Sequence, residues 1–559
     1  MRSQQRRVIN SFVMSVVTVM YSYGIAAENA QPWPQAAGPN ISWQHDVQDA
    51  PTHWSVARNQ HIKWRTPLPN AGQGGIAVAD KKLFLATFPE QIESAKRQNN
   101  VVLGHALDRV TGQLLWSVSL KGERPSPQLY AFSDSTSWTP ICDDQYVWFF
   151  NASGEMGCWD HNGKEIWRRT FRTQPPKYPF NRQCEPILSG DLILTVEPKA
   201  TDDVRYDAKK DDWHFIHAIH KKTGRVAWIS DDGCTFYCTP VLSKQANGNP
   251  GLLFGRGGPH GVPEIPIGLS LINISQDNPG KNVWRFTPEA GAKSPLDGTT
   301  WMAQYNQVWD SKAAYWFRNT PEETHVIIDV QTGQIAREQS LIKAVDVCLW
   351  DTATQAYQTQ KNMDIRTLPD ATTPLKTGEV LHVLPQWHSN IVAHGYHWFL
   401  CTTNNRRNGH APKGHSGPAH CLGRIALATG KVEYLELPVG VERLANQPDK
   451  LIYGKSLKTK PLDNQGRDVA DEGRSRTDGW EIDAFFASPI VLGEHLYISV
   501  MLGVTYVINT KVTTLDQRAL VAVNDLGPLG ETWSLSGPSY ANGMLYHRSV
   551  KEIVAITKP

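Results

Sequence analysis

Pairs of short apolar segments, joined by a tight turn and ending in a large aromatic residue, recur along the chain. One copy reads Ala106-Leu-Asp108-Arg-Val-Thr111-Gly112-Gln-Leu-Leu-Trp116, and another with the same spacing runs from Ala218 through Thr223-Gly224 to Trp228. Gly supplies the positive φ that such a reversal needs, and an Asp side chain can accept hydrogen bonds from the turn backbone. The pattern predicts antiparallel β-hairpins whose outer strand carries the aromatic residue.

A second pattern marks the strand that begins each unit. A proline precedes an apolar strand at Thr139-Pro140-Ile141, Glu185-Pro186-Ile187, Thr239-Pro240-Val241, Ser488-Pro489-Ile490 and Gly537-Pro538. Proline is tolerated at the first residue of a strand because no ladder hydrogen bond is needed there. The repeated units predict an all-β fold, a β-propeller of eight four-stranded antiparallel blades. Seven blades is the alternative count, and two β-sandwiches are the less economical fold.

The blades are counted by the residues that close their outer strands. These are Trp64, Trp116, Trp167, Trp228, Trp284, Arg337, Tyr434 and a degenerate position near residue 515. The last unit, from Gly537 to Lys558, lacks an outer strand, whereas His61–Pro67 carries a Trp without a preceding blade. We expect the N-terminal strand to complete the last blade, which removes an open sheet edge. Rim insertions are expected near residues 341–380 and 442–479.

The Ala-x-Asp-x-x-Thr-Gly-x-x-x-Trp element resembles the repeat of the PQQ-like β-propellers, which include quinoprotein alcohol dehydrogenases and an outer-membrane assembly lipoprotein. The resemblance implies the propeller fold over nearly all of the chain. The hallmarks of the quinone site are missing, since no two cysteines are adjacent and there is no Cys-x-x-Cys-His haem motif. No set of Glu, Asn and Asp matches the family's calcium site either. We therefore expect no cofactor, on the principle that function belongs to the site and not to the fold.

The composition and the N-terminal residues indicate which classes of function and which cellular location to expect. The 56 Lys and Arg nearly balance 54 Asp and Glu, which argues against nucleic-acid binding. Residues 1–27 read as a signal peptide, with Arg2, Arg6 and Arg7 before an apolar run that ends at small residues. Their removal deletes three arginines and no acid, so the net charge changes from +2 to −1. We expect one propeller domain over residues 28–559, periplasmic or secreted, without a transmembrane segment or a lipidation cysteine.

The eight cysteines would then lie in an oxidising compartment, where disulfides are permitted. Cys401 and Cys421 flank a loop between two predicted neighbouring strands, so they are the candidate disulfide. His410, His415 and His420 precede Cys421 at spacings of five residues, which is not a recognised zinc pattern. No metal site is expected.

Candidate site residues come from the loops that converge on one mouth of a propeller. Arginine pairs with carboxylate or sulfate groups, and aromatic faces stack on sugar rings. For a β-elimination next to a uronate, the candidate catalytic residues are His260, Tyr237, His388 and Arg256. The candidate substrate-binding residues are Arg182, Glu185, Trp138, Trp387, Asn404, Arg406 and Arg548.

These residues favour a propeller that binds an extracellular polysaccharide, expected to be anionic, with lyase-type cleavage as the chemistry if it is catalytic. A non-catalytic scaffold that binds other envelope proteins is the main alternative. A divergent quinoprotein or metal-dependent oxidoreductase is the third hypothesis.

Overall fold

The computed structural model places the predicted strands in eight antiparallel blades around a central channel. It describes residues 32–90, 98–127, 134–173, 184–200, 213–236, 239–245, 247–257, 266–288, 308–318, 324–351, 353–364, 382–404, 421–444, 446–453, 460–469 and 487–559. The predicted all-β class and the count of eight blades are confirmed.

Most strands are short, as expected where turn residues separate brief apolar runs. In chain order they are β1 Gln44–His45, β2 Ile62–Pro67, β3 Ala77–Val78, β4 Lys82–Thr87, β5 Gln98–Asp108, β6 Leu114–Pro127, β7 Ile141–Cys142, β8 Tyr146–Asn151, β9 Glu155–Asp160, β10 Glu165–Thr170, β11 Ile187–Ser189, β12 Leu192–Pro198, β13 His214–His220, β14 Val226–Gly233, β15 Val241–Lys244, β16 Pro250–Arg256, β17 Gly268–Asn273, β18 Asn282–Phe286, β19 Val308–Trp309, β20 Ala313–Arg318, β21 Thr324–Asp329, β22 Ile335–Ser340, β23 Val345–Asp351, β24 Ala356–Met363, β25 His382–Ala393, β26 Tyr396–Asn404, β27 Cys421–Ala426, β28 Val432–Glu436, β29 Gly440–Glu442, β30 Lys450–Ile452, β31 Ile490–Leu492, β32 His495–Val500, β33 Val504–Asn509, β34 Leu520–Asp525, β35 Ser539–Ala541, β36 Met544–Arg548 and β37 Glu552–Ile556. A short 3-10 helix, Gln517–Ala519, precedes β34.

Five blades are formed by four consecutive strands each, from β3–β6 to β19–β22. Blade 6 consists of β25–β28, and β23 and β24 extend its outer edge through a parallel pairing of β23 with β28. Blade 7 consists of β31–β34, with β1 added in parallel on the inner strand. The hairpin of β29 and β30 lies between blades 6 and 7 in the chain.

Blade 8 contains β35, β36 and β37 and takes its fourth strand from the N-terminus. Strand β2 pairs antiparallel with β37, with Trp64 opposite Ala555 and Pro67 opposite Glu552. The predicted closure is confirmed, and it joins the two ends of the chain in one sheet. With β2 on one side and β36 on the other, β37 has no unpaired edge.

Adjacent blades are held together by the aromatic residues of the fourth strands. The indole Nε1 of Trp116 donates to His161 O at 3.1 Å, that of Trp167 to Lys221 O at 2.9 Å, and that of Trp284 to Val330 O at 2.7 Å. Each acceptor lies in the hairpin turn of the following blade. Arg337 replaces the Trp between blades 5 and 6, where its Nη2 donates to Leu427 O at 2.9 Å.

The next boundary departs from this pattern. Tyr434 lies in the fourth strand as predicted, but its hydroxyl donates to Leu341 O at 2.7 Å, in the segment between blades 5 and 6. Blades 6 and 7 are instead joined by Arg424, a fully buried side chain that pairs with Glu433 at 2.7 Å and donates to Val512 O at 2.8 Å. A buried ion pair therefore takes the place of the indole.

A segment before the first blade closes one end of the central channel. We call residues 33–45 the plug. Trp33 O accepts a hydrogen bond from Val78 N in blade 1, and Pro34 O accepts one from Cys142 N in blade 2. The side chain of Gln44 donates to Val392 O in blade 6. These partners lie near the ends of the inner strands, so the plug lies at the face where those strands end, which we call the lower face.

Candidate functional site

A funnel opens at the opposite, upper face, where the inner strands begin. It encloses a cavity of about 60 Å³. The wall includes the residue two positions before the inner strand in six blades: Gly75, Thr139, Glu185, Thr239, Ser488 and Gly537. Trp33 and Trp43 of the plug form its floor. Among the described residues, the plug thus lies across the end of the funnel opposite the upper face.

Hydrogen bonds connect these wall residues from blade to blade. Gly75 N donates to Thr139 Oγ1 at 2.9 Å. Thr139 donates twice to the Glu185 carboxylate, from its backbone N to Oε2 at 2.8 Å and from its hydroxyl to Oε1 at 2.9 Å. Glu185 N in turn donates to Thr239 Oγ1 at 3.0 Å. A Pro follows each of Thr139, Glu185 and Thr239 and directly precedes the inner strand, so the three residues occupy equivalent positions in their blades.

Glu185 is the ionisable residue among the described residues that line the cavity. Burial raises the pKa of its carboxyl to about 7, although the hydrogen bonds from Thr139 act in the opposite direction. None of the ion pairs among the described residues includes Glu185. An acid with a pKa near neutrality in a concave site is a candidate functional group.

Ser536 lines the same cavity and is 7% exposed. In the described part of the chain its hydroxyl has no hydrogen-bond partner. Buried polar groups in native proteins are nearly always paired, so an unpaired hydroxyl at a cavity wall points to a ligand or water. Among the described funnel residues, Ser536 has an unpaired hydroxyl, and each Glu185 carboxylate oxygen accepts a single hydrogen bond, so both can still bond a ligand.

Arg256, predicted as a catalytic residue, does not face the funnel opening. It is 1% exposed, and its Nη2 donates to Phe286 O at 2.9 Å and to Thr287 Oγ1 at 3.2 Å. These bonds tie the end of β16 to the end of β18. In the described structure Arg256 therefore supports the blade, and its catalytic role stays a prediction.

Arg548 and Trp138, predicted to bind substrate, are also buried. Arg548 is 1% exposed and its Nη1 donates to Gly74 O at 3.2 Å and Ala86 O at 2.9 Å, so it joins blade 8 to blade 1. Trp138 is 3% exposed and stacks on Phe171 with ring centroids 5.9 Å apart. Both side chains are thus buried in the described structure, and their substrate-binding roles stay predictions.

For the other predicted site residues, the structure does not describe where the side chains lie. Tyr237, His260, Arg182 and Arg406 lie outside the described residues. Trp387 and His388 lie in β25 and Asn404 ends β26, but their side chains are likewise outside the description. Of the predicted site residues, Glu185 is the one that the structure places in the funnel wall.

Sequence reasoning missed the partners of Glu185, namely Thr139, Thr239, Ser536 and the plug tryptophans. Thr139 and Thr239 could have been found from the sequence, because each directly precedes a proline at the start of a predicted inner strand, as Glu185 does. The role of Trp33 and Trp43 had no local signal, because it depends on how the N-terminal segment crosses the channel.

Cys401 and Cys421 are directly opposite each other in β26 and β27, as the disulfide expectation requires. The structure nevertheless has both as free, buried thiols, and Cys401 Sγ donates to Cys421 O at 3.5 Å. Among the described residues no group of three or more His, Cys, Asp or Glu side chains is arranged to hold a metal ion. No helix in the described part of the chain is long and apolar enough to cross a membrane.

Comparisons with known proteins agree with this fold. A family model described as "Outer membrane protein assembly factor BamB" matches residues 38–230. A quinohemoprotein alcohol dehydrogenase, ADHIIG from Pseudomonas putida HK5, is 11% identical with a TM-score of 0.50, covering 95% of this chain and 82% of that chain. BamB from Moraxella catarrhalis is 11% identical with a TM-score of 0.35, covering 75% of this chain and 96% of that chain. No curated protein matches the chain.

The repeat, the eight blades and the family match over residues 38–230 show the fold of a PQQ-like β-propeller. At 11% identity the likeness to the dehydrogenase shows the fold alone.

The described funnel does not fit a pyrroloquinoline quinone. That molecule carries carboxylates on a rigid fused-ring frame, whereas the described wall presents the Glu185 carboxylate and no basic side chain. A cavity of about 60 Å³ is also too small for a fused-ring molecule to enter fully. We therefore derive no chemical step through a quinone.

Proposed function

We propose that the chain is an extracytoplasmic PQQ-like propeller that binds a polysaccharide at the mouth of its central funnel. The observation that carries the proposal is the Glu185 carboxylate, held by Thr139 in a pocket that the plug closes from below. A carboxylate beside hydroxyl groups and an aromatic floor is the set of groups that recognises a hydroxylated ring. The signal-peptide pattern of residues 1–27 supports the location outside the cytoplasm.

The described residues support binding rather than lyase-type cleavage. A uronate would bring its negative charge to Glu185, and like charges repel. Arg256, the arginine expected to neutralise a uronate, is committed to backbone carbonyls inside blade 4. We therefore revise the expected ligand from an anionic polymer to a neutral or cationic one.

An oligosaccharide array tests this proposal with the full chain and two variants. Glu185→Gln keeps the shape of the side chain and removes its charge, so we expect binding to fall at least tenfold. The matched control is Glu165→Gln, which alters an exposed acid on β10, and we expect it to bind as the unaltered protein does. Failure to bind any saccharide, or binding unaffected by Glu185→Gln, would contradict the proposal.

A second candidate function is an envelope scaffold, supported by apolar side chains on the outer strands and hairpin turns. Val110, Leu114 and Leu115 in blade 1 are 55%, 50% and 45% exposed. The family model described as an outer membrane protein assembly factor covers this blade. A photo-crosslinking residue in place of Leu115 would capture a partner in intact cells, whereas the same residue in place of Lys63, the exposed equivalent in blade 8, would not.

A further inference from the structure

The funnel wall is asymmetric in charge. Of the described residues that line it, Glu185 is acidic and the remainder are apolar, aromatic, hydroxyl-bearing or glycine. A buried carboxylate without a counter-charge is costly, and the cost falls when a cation binds beside it. A bound ligand can therefore supply the positive charge that would compensate the Glu185 carboxylate.

The carboxylate also has room for further donors. Each of its oxygens accepts one hydrogen bond from Thr139, and a carboxylate oxygen can accept two. An ammonium group has three N–H donors and no acceptor, which matches such a site. The hydroxyl of Ser536, unpaired in the described structure, can bond a hydroxyl on the same ligand.

The floor suits a positive charge as well. Trp33 and Trp43 line the cavity below the wall residues. Indole rings attract ammonium groups through their negative faces, and this attraction grows when water is excluded. The negative charge of Glu185, its free acceptor positions and the two indole rings thus all favour an ammonium group.

We propose, building on the polysaccharide function above, that the funnel recognises the protonated amine of an unacetylated amino sugar. The amine enters the funnel and binds Glu185, a neighbouring ring hydroxyl binds Ser536, and the remainder of the polymer lies across the mouth. A cavity of about 60 Å³ accommodates an ammonium group and adjoining atoms rather than a whole ring. Acetylation removes the charge and adds bulk, so the acetylated sugar is excluded.

A divalent metal ion fits this site less well. Calcium takes six to eight oxygen ligands, commonly several carboxylates, and the described wall offers one carboxylate. A lysine side chain of a partner protein shares the ammonium group but lacks the vicinal hydroxyl for Ser536. The test must therefore distinguish binding of a lysine side chain from binding of an amino sugar.

The test is calorimetric titration of the full chain with four probes: a glucosamine hexamer, its N-acetylated form, a glucose hexamer and a lysine hexamer. We expect the glucosamine hexamer to bind at least tenfold more tightly than the other three. Glu185→Gln should abolish that preference, Ser536→Ala should weaken glucosamine binding about threefold, and Glu165→Gln should change neither. Circular dichroism of each variant checks that it is folded.

Each other outcome has a definite meaning. Equal binding of the three saccharides, lost in Glu185→Gln, would overturn the amine inference and leave the polysaccharide proposal standing. Binding of the lysine hexamer alone would overturn both in favour of a protein partner. The absence of any binding would overturn both as well.

Discussion

The indole of Trp64 packs directly on Gly112, and its Nε1 donates to Arg109 O at 3.3 Å. Trp64 belongs to the N-terminal strand that completes blade 8, whereas Gly112 lies in the hairpin turn of blade 1. This contact therefore completes the ring between the last blade and the first. Thr66 Oγ1 adds a hydrogen bond to Gly112 O at 2.8 Å.

We predict that Gly112→Ala weakens this junction. Gly112 has a φ of +74°, and an added Cβ would lie 2.5 Å from Trp64 Cε3. Strained backbone and overpacking together should lower the free energy of unfolding by about 2–4 kcal/mol. Urea unfolding measures this change. Gly190→Ala is the control: its φ is +59° but nothing lies within 4 Å of the added Cβ, so only the backbone cost of about 1 kcal/mol is expected. Equal losses in the two variants would show that the indole contact is unimportant.

Glu185 should make stability depend on pH. Its folded-state pKa of about 7 lies above the ordinary value of 4.5, so the folded protein holds this proton more tightly than the unfolded chain. The associated stability is present below the ordinary pKa and is lost as the pH rises through the folded pKa. Glu185→Gln should therefore stabilise the protein by about 3 kcal/mol near pH 8 and have little effect near pH 4. Unfolding curves at pH 4 and pH 8 measure the change in the free energy of unfolding. A destabilising effect of Glu185→Gln near pH 8 would refute the prediction.

Buried histidines should make the fold sensitive to acid. His325 Nε2 lies 2.9 Å from His397 Nδ1 at the boundary of blades 5 and 6, and both rings are fully buried. Burial lowers the pKa of His325 and of His547 to about 3 and that of His105 to about 4. Each neutral ring contributes stability above pH 6.5 that is lost as the pH falls towards the folded pKa.

Calorimetry between pH 7.5 and 5 tests this dependence. We expect about 1 kcal/mol of stability to be lost per pH unit for each buried histidine. His547→Gln should reduce the slope, whereas His53→Gln, which alters an exposed histidine, should leave it unchanged. A flat profile would contradict the account.

The plug should depend on Gln35. This side chain is 2% exposed, accepts a hydrogen bond from Leu188 N at 2.7 Å and donates to Leu188 O at 3.3 Å. Gln35→Ala leaves two half-buried backbone groups of blade 3 unpaired, which costs about 1–2 kcal/mol. Hydrogen exchange at the Leu188 amide should accelerate, whereas Asn40→Ala, at an exposed plug position, should not affect it. Unchanged exchange in Gln35→Ala would mean that the plug is not held by this side chain.

The fold was predictable because its signals are local. The turn from Asp108 to Gly112 and the following Trp116 predict a hairpin from a single short stretch of sequence. The unpaired Trp64 near the N-terminus predicted the closure. The boundary of blades 6 and 7 was not predictable in this way, because Arg424 and Glu433 meet only after two strands have paired.

The site was less predictable for a related reason. Arg256, Arg548 and Trp138 were chosen as residue types that bind sugars, but each side chain is buried by partners distant in sequence. Backbone carbonyls hold the two arginines, and Phe171 covers the indole. Glu185 was found because it precedes a strand-entry proline, and that position faces the channel in blade after blade.

The most direct test of the central claim is a crystal structure of the full chain with a bound glucosamine oligosaccharide. We predict that one sugar lies at the funnel mouth with its amine within 3.2 Å of a Glu185 carboxylate oxygen and a hydroxyl bonded to Ser536. An oligosaccharide bound on the outer strands or the lower face, with the funnel empty, would contradict the claim.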